Sequence, residues 1–381
     1  MGGLWPMIRT MVSENSTKTP ITLLINGLHS KSGGGVTYLN NILPLLGGAS
    51  GVDVHLCIHA DQKDRLNLDL PGVTVHELSF PTGFWKLLWR EQVEVPRLAK
   101  HIGAAVTFSP ANYCPVLAPN SVILLRNALN VGLVERRPSK IAYWIMLYVA
   151  TGLSILFSKK AIAVSEYART SASGGIFKKR VSIVPHGVDA RFTAAVPPVE
   201  REDFLLAVSD LYVQKNFNRL LAAIAVLRDK HPNIQLKIAG RALDADYYAA
   251  LLSDVERLGL ANHVEFLGHV APEDLLDLYR RCGVFVFPSL VETFGNSLVE
   301  AMACGAPVAT SNTAAMPEVA EEGALYFDPK DVPDMASVIG GLLDDSERRR
   351  AAGQKALERA KSYSWSSTVE ETLSILLEAA N

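Results

Sequence analysis

Short β-branched runs alternate with helical patterns along most of this chain, and that alternation restricts it to parallel sheets covered by helices. "ITLLIN" (21–26), "DVHLCIH" (53–59), "AAVTFS" (104–109), "SVILLR" (121–126), "AIAVS" (161–165) and "VSIVP" (181–185) read as strands. Helical stretches such as "YLNNILPLL" and "WKLLWREQVEVPRLAKH" follow several of them. A Pro-rich, charged gap, "AAVPPVERED", interrupts the pattern, which restarts with "FLLAVS" (204–209), "IQLKIAG" (234–240), "VEFLG" (264–268), "VFVFPS" (284–289) and "PVATS" (307–311). Two runs joined near residue 196 predict an α/β chain of two doubly wound, Rossmann-like domains facing a cleft. In such sheets ligands bind beyond the carboxyl ends of the strands.

With 381 residues, 49% of them hydrophobic, the chain can fill two cores and does not have the composition of a disordered protein. A net charge of −2 removes the electrostatic case for a nucleic-acid partner. Cys57, Cys114, Cys282 and Cys304 lie far apart without zinc-ligand spacing, and read as buried thiols of a reducing cytoplasm. "MGGLWPMIRTMVSENSTKTP" has no continuous apolar core and no small-residue cleavage site, so residues 1–20 are expected to be a mobile leader. "IAYWIMLYVATGLSILF" (141–157) has 17 residues without a charge between basic flanks, short of the roughly 20 that a spanning helix needs. It reads either as a buried core helix or as a helix lying on a membrane face.

The stretch "VETFGNSLVEAMACG" (291–305) follows the strand "VFVFPS" and carries two carboxylates, Glu292 before a turn and Glu300 inside the next helix. A helix mouth offers unpaired backbone N–H groups and partial positive charge to phosphate or sugar oxygens. Asn296 and Glu300, four apart, share one helical face. An ionised carboxylate only accepts hydrogen bonds and so suits a diol such as ribose or a hexose. By spacing alone, a loop charge and a solvated helix face explain the two glutamates better than a ligand does.

"FPSLVETFGNSLVEAMACGAPVATSNTAAMPEVAEEGALYFDP" resembles the signature of the retaining, nucleotide-sugar-dependent glycosyltransferases of the GT-B fold, family 4 or glycosyl transferases group 1. "VSEYART" (164–170), "VPHGVD" (184–189), "QKNFNRLL" (214–221) and "FLGHVAPEDLLDLYRRC" (266–282) agree in order, and the resemblance covers about residues 20–370. It implies an acceptor-side domain over 21–197, a nucleotide-sugar-binding domain over 198–362, and a helix over 363–381 packing back towards the first domain. It further implies that Glu300 holds the ribose hydroxyls. Glu292, with Thr293, Phe294, Gly295, Asn296 and Ser297, would hold the transferred sugar. Lys215 would neutralise the departing diphosphate, and His269 and Val270 would contact the base. The glycine loop Gly33, Gly34 and Gly35 would lie near the diphosphate and acceptor. Where many relatives carry a histidine close to the reacting sugar, this chain has Arg126 and Asn127.

One position departs from the pattern. Relatives commonly have an arginine five residues before the lysine, and here that residue is Asp210. Arg241, after "IQLKIAG", is the candidate replacement for the missing charge. The resemblance implies no resident cofactor and no metal. It implies a nucleotide sugar as co-substrate, with a GDP-sugar favoured and a mannose-like or deoxy sugar transferred. It also implies a glycan or polyprenyl-linked acceptor of cell-surface polysaccharide synthesis, and a place in the cytoplasm, at or near the inner membrane face. The rival readings are a binding protein without turnover, marked by Asp210, and a metal-dependent transferase using Asp244 and Asp246 of "DAD".

Overall fold

The computed structural model describes residues 20–31, 33–81, 83–127, 129–134, 137–173, 177–194 and 199–381. The leader expected over residues 1–20 therefore falls, all but its last residue, outside the described residues. The chain divides into two compact units. The first takes residues up to 127, then 145–187 and 365–381, and the second takes 128–144 and 188–364.

In the first unit seven parallel strands run in the order β3-β2-β1-β4-β5-β6-β7. They are β1 (Ile21–Asn26), β2 (Val52–His59), β3 (Val73–Leu78), β4 (Val106–Ser109), β5 (Val122–Leu125), β6 (Lys160–Ala163) and β7 (Val181–Ile183). Every residue of β4 and β5 is buried, as expected of strands covered on both faces. The helices Gly34–Gly47 and Phe84–His101 follow β1 and β3, and the C-terminal helix Trp365–Ala380 packs on the Gly34–Gly47 helix. Lys160 and Glu378 form an ion pair at 2.7 Å, and the Trp365 and Tyr38 rings meet edge-on with centroids 5.7 Å apart.

In the second unit six parallel strands run in the order β10-β9-β8-β11-β12-β13. They are β8 (Glu202–Val208), β9 (Gln235–Ala239), β10 (Val264–Gly268), β11 (Cys282–Phe287), β12 (Val308–Ser311) and β13 (Leu325–Phe327). The core is built from sheet residues such as Leu205, Leu236 and Val286, covered by Phe217, Leu220 and Ile224 of the Phe217–Arg228 helix and Ile339 of the Val332–Asp344 helix. From β8 the chain builds outward through β9 and β10, then returns to lay β11 on the other side of β8. That reversal puts a switch point between β8 and β11, where the connecting loops diverge and leave a crevice.

Residues 128–144 count with the second unit rather than with the strands that flank them in sequence. Arg137 forms a two-pronged ion pair with Asp244, and Val131 packs on Val291. All four cysteines are buried and free, and burial pushes each thiol up to about 12.

Candidate active site

The second unit gathers charge at the carboxyl ends of β8 and β11. After β8 the chain makes a single 3-10 turn, Val213–Lys215, and Asn216 closes it in the left-handed region with φ 60°. Asn216 tolerates that conformation because its fully buried amide donates to Pro288 O at 3.1 Å and Pro329 O at 2.8 Å. The Leu290 N–H donates to Gln214 O at 2.8 Å, so the loops after β8 and β11 are stitched together. This stitching brings Lys215 onto Glu292: the ammonium donates to the carboxylate and lies 5.6 Å from the centroid of the Phe287 ring. Side-chain exposures of 16% for Lys215 and 21% for Glu292 leave both reachable from solvent.

Four residues beyond Glu292, the helix Asn296–Ala303 begins. Gly295 precedes it at φ 89°, a conformation that favours glycine, and a Cβ there would crowd the Phe287 ring at 3.2 Å. The predicted sugar-holding residues are not equivalent. Phe294 is buried edge-on against Tyr363, with centroids 5.3 Å apart. The Ser297 hydroxyl donates to Val208 O at 3.0 Å, tying the helix to β8. Thr293 is buried. Glu300 accepts a hydrogen bond from the fully buried Tyr279 hydroxyl at 3.0 Å. Burial pushes the Glu300 carboxyl up to about 7; the Tyr279 bond opposes this, Asp189 adds to it, and Arg191 pulls it down.

Asp210 and Arg241 form a fork at the ends of β8 and β9. Arg241 donates to Asp210 from its backbone N–H at 3.0 Å, from Nε at 3.1 Å and from Nη2 at 2.7 Å. Burial alone would raise the Asp210 carboxyl; the Arg241 bonds and the nearby Lys215 charge outweigh it and hold the group below its ordinary value. The acid standing where relatives have arginine thus holds an arginine from the neighbouring strand end. His269, exposed, and Val270 follow β10, which β9 separates from β8.

The Asp-x-Asp pair has another use. Asp244 caps the helix Ala245–Arg257, accepting from the Tyr247 N–H at 3.3 Å, and its two oxygens take Arg137 Nη1 at 3.1 Å and Nη2 at 2.5 Å. Asp246, with 89% of its side chain exposed, reaches the same arginine only at 3.5 Å. Among the described residues no group of three or more His, Cys, Asp or Glu is placed to hold a metal ion.

In the first unit Gly33, Gly34 and Gly35 open the Gly34–Gly47 helix, with Gly33 at φ 53°. Gly35 is buried, and a Cβ there would stand 2.1 Å from Arg126 Nη1, so the loop glycine makes room for a guanidinium. Arg126 donates to His29 O at 3.2 Å, and burial pushes its pKa down to about 10, which leaves it charged at neutral pH. Asn127 is exposed, and its N–H donates to the buried Asn112 Oδ1 at 2.9 Å.

Beside them lies a cluster that sequence reading did not single out. Glu91, fully buried, accepts from Asn26 Nδ2 at 2.5 Å and from His29 Nε2 at 2.8 Å, while the Tyr113 hydroxyl meets His29 Nδ1 at 2.9 Å. With Glu91 ionised, Nε2 carries the proton and Nδ1 accepts from Tyr113. The signal was present: Leu87, Glu91, Val95 and Ala99 recur every four residues, a carboxylate set in an apolar stripe. Removing this carboxylate leaves the half-buried His29 Nε2 without its acceptor and the buried Asn26 amide with only Ser109 Oγ, at 3.1 Å. Glu91→Ala is therefore expected to cost about 2–4 kcal/mol, read as a lower midpoint of urea unfolding at unchanged slope.

The fold so described is that of a GT-B protein. HepE of Anabaena, solved with UDP and glucose, superposes with a TM-score of 0.75 at 19% identity, covering 94% of this chain and all of that one. WaaG, a glycosyltransferase involved in lipopolysaccharide biosynthesis, gives a TM-score of 0.73 at 16% identity over 93% of this chain and 99% of that one. Residues 190–359 match the family model described as glycosyl transferases group 1, and this segment is a domain of that family. The O-antigen chain mannosyltransferase B of Escherichia coli is 34% identical over 176 residues, which is 45% of this chain and 45% of the relative. The chain thus matches less than half the length of that relative.

Proposed function

We propose that this chain is a retaining glycosyltransferase that moves a hexose from a nucleoside diphosphate sugar to a hydroxyl of a glycan or lipid-linked acceptor in cell-surface polysaccharide synthesis. The observation that carries the reading is the joint placement of Lys215, Glu292 and Glu300 around the β8–β11 switch point, at the mouth of the Asn296–Ala303 helix. A nucleoside diphosphate sugar presents two sets of hydroxyls with a double anion between them. The site offers two carboxylates with cations between the strand ends.

In this reading Glu300 accepts from the ribose diol. A diphosphate arriving at Lys215 competes for the ammonium, which releases the Glu292 carboxylate to accept from the transferred sugar. The bond from the anomeric carbon to the phosphate oxygen breaks, and the bond to the acceptor oxygen forms on the same face. The acceptor proton passes to the departing phosphate, and the nucleoside diphosphate leaves. Lys215 and the Asn296–Ala303 helix mouth meet the charge that grows on the diphosphate. The mannosyltransferase relative supports a mannose-like sugar, whereas the HepE complexes hold UDP and glucose, so GDP-mannose and UDP-glucose are the first donors to compare. Proton NMR of the product's anomeric centre tests the mechanism. A product with the donor's configuration supports it, and an inverted product contradicts it.

Arg241 supplies the second cation from its seat on Asp210. Arg241→Ala should weaken binding of a nucleoside diphosphate by about tenfold to a hundredfold, the range of a charge-assisted bond, and leave the monophosphate nearly unaffected. Calorimetric titration with the two nucleotides reads the difference; equal losses for both would remove Arg241 from the diphosphate site.

A further inference from the structure

The helix Pro138–Phe157 is amphipathic in the reverse sense from residue 145 onward. Ile145, Tyr148, Val149, Leu153, Leu156 and Phe157 recur at helical spacing and are each between 48% and 62% exposed. The opposite face buries Leu147, Thr151, Ser154 and Ile155, so two hydroxyl residues point inward while six large apolar ones point outward. The inward hydroxyls are satisfied: Thr151 donates to Leu147 O at 2.7 Å, and Ser154 accepts from the Cys114 N–H at 3.3 Å.

Two further large apolar side chains of the first unit are exposed. The loop that bonds Ser154 also exposes Leu117 at 81%, and Gln92 of the Phe84–His101 helix grips it through Cys114 O and the Val116 N–H. Trp89, 71% exposed, stands on that same helix, one turn before Gln92; the side chain of Trp85 lies outside the described residues. Further along, Arg97 and Lys100 line an open groove of about 620 Å³ together with Pro96, Leu117 and Pro119.

Cations border this surface. Arg180 donates to Leu156 O and Ser158 O at the end of the apolar helix, and Lys159 and Lys179 are exposed beside it without an ion-pair partner among the described residues. A chain of net charge −2 has placed these exposed lysines at the edge of its apolar stripe. No described helix is long and apolar enough to cross a membrane. We infer that the outward face of residues 145–157, with Leu117 and Trp89, seats in the surface of an anionic lipid bilayer, the apolar side chains among the acyl chains and the lysines at the headgroups. A second copy of the chain is the poorer occupant, because an isologous contact would leave these cations facing no anion. The inference does not depend on the transferase reading.

The test is co-sedimentation of the full chain with phosphatidylcholine vesicles, with and without phosphatidylglycerol. Binding should be at least about tenfold stronger to the anionic vesicles and should weaken with added salt. The pair Val149→Glu/Leu153→Glu should abolish it, and Lys159→Glu/Lys179→Glu should reduce it about tenfold, with unfolding midpoints and nucleotide binding unchanged in both. Failure to bind anionic vesicles, or binding that survives Val149→Glu/Leu153→Glu, would overturn the inference. So would a dimer in light scattering that the same pair dissolves while vesicles are ignored.

Discussion

Lys215→Ala is expected to lower the rate of sugar transfer by about a hundredfold to a thousandfold at saturating donor, the range seen when one preorganised stabiliser of developing charge is removed. The argument is electrostatic. The departing diphosphate gains charge as the anomeric bond breaks, and a cation held between Glu292 and the Phe287 ring is already oriented, so no reorganisation is paid at that moment. The loss should fall on kcat more than on KM, because ground-state diphosphate already carries charge that Arg241 and the helix mouth also meet. Lys215→Arg keeps the charge on a longer planar group and should recover part of the rate. Glu292 loses its partner in the alanine variant but keeps access to water, so the unfolding midpoint should move little. A Lys215→Ala enzyme with near-normal turnover would contradict the assignment.

The second large effect is a pH dependence set by Glu300. Burial raises its carboxyl from the ordinary 4.5 to about 7, because the Tyr279 bond and the Arg191 charge only partly compensate for lost water. Only the ionised carboxylate accepts from both hydroxyls of a diol, so donor affinity should climb as pH rises from about 6 to 8 and level off above. Binding below pH 7 should release a proton, visible as a binding enthalpy that varies with buffer ionisation heat. Stability must move the other way. The folded state keeps its proton to higher pH than the unfolded chain, so this group's favourable contribution is full below about 4.5 and is lost as pH rises through about 7, a cost of roughly 3 kcal/mol. Glu300→Gln should flatten both curves and weaken the donor by about tenfold or more. Affinity that stays level from pH 6 to 8 in the unaltered protein would show that Glu300 does not hold the diol.

The sequence showed what hydrophobic pattern and motif order can carry. The central strands stand out because they are covered on both faces, and "VETFGNSLVE" stands out because a glycine turn and two carboxylates follow a buried strand. What escaped notice lacks those signals. β3 is an edge strand of half-buried, partly polar residues, and β13 is only three residues long. Residues 128–144 sit between two strands that pair with each other, and contacts such as the Arg137–Asp244 bond and the packing of Val131 on Val291 show where they belong. The Gly35–Arg126 fit joins positions 91 residues apart, and no spacing rule reports it. Arg241 stood out as the replacement charge, but its bonds to Asp210 did not, because a whole helix and strand separate the two in sequence.

The most direct measurement is a calorimetric titration of the purified chain with GDP-mannose, UDP-glucose and the corresponding dTDP- and ADP-sugars, with Glu300→Ala and Lys215→Ala alongside. The account predicts selective binding of one nucleotide sugar that weakens in both variants. A folded protein that binds none of them, or one whose binding survives both substitutions unchanged, would contradict the donor site described at the β8–β11 switch point.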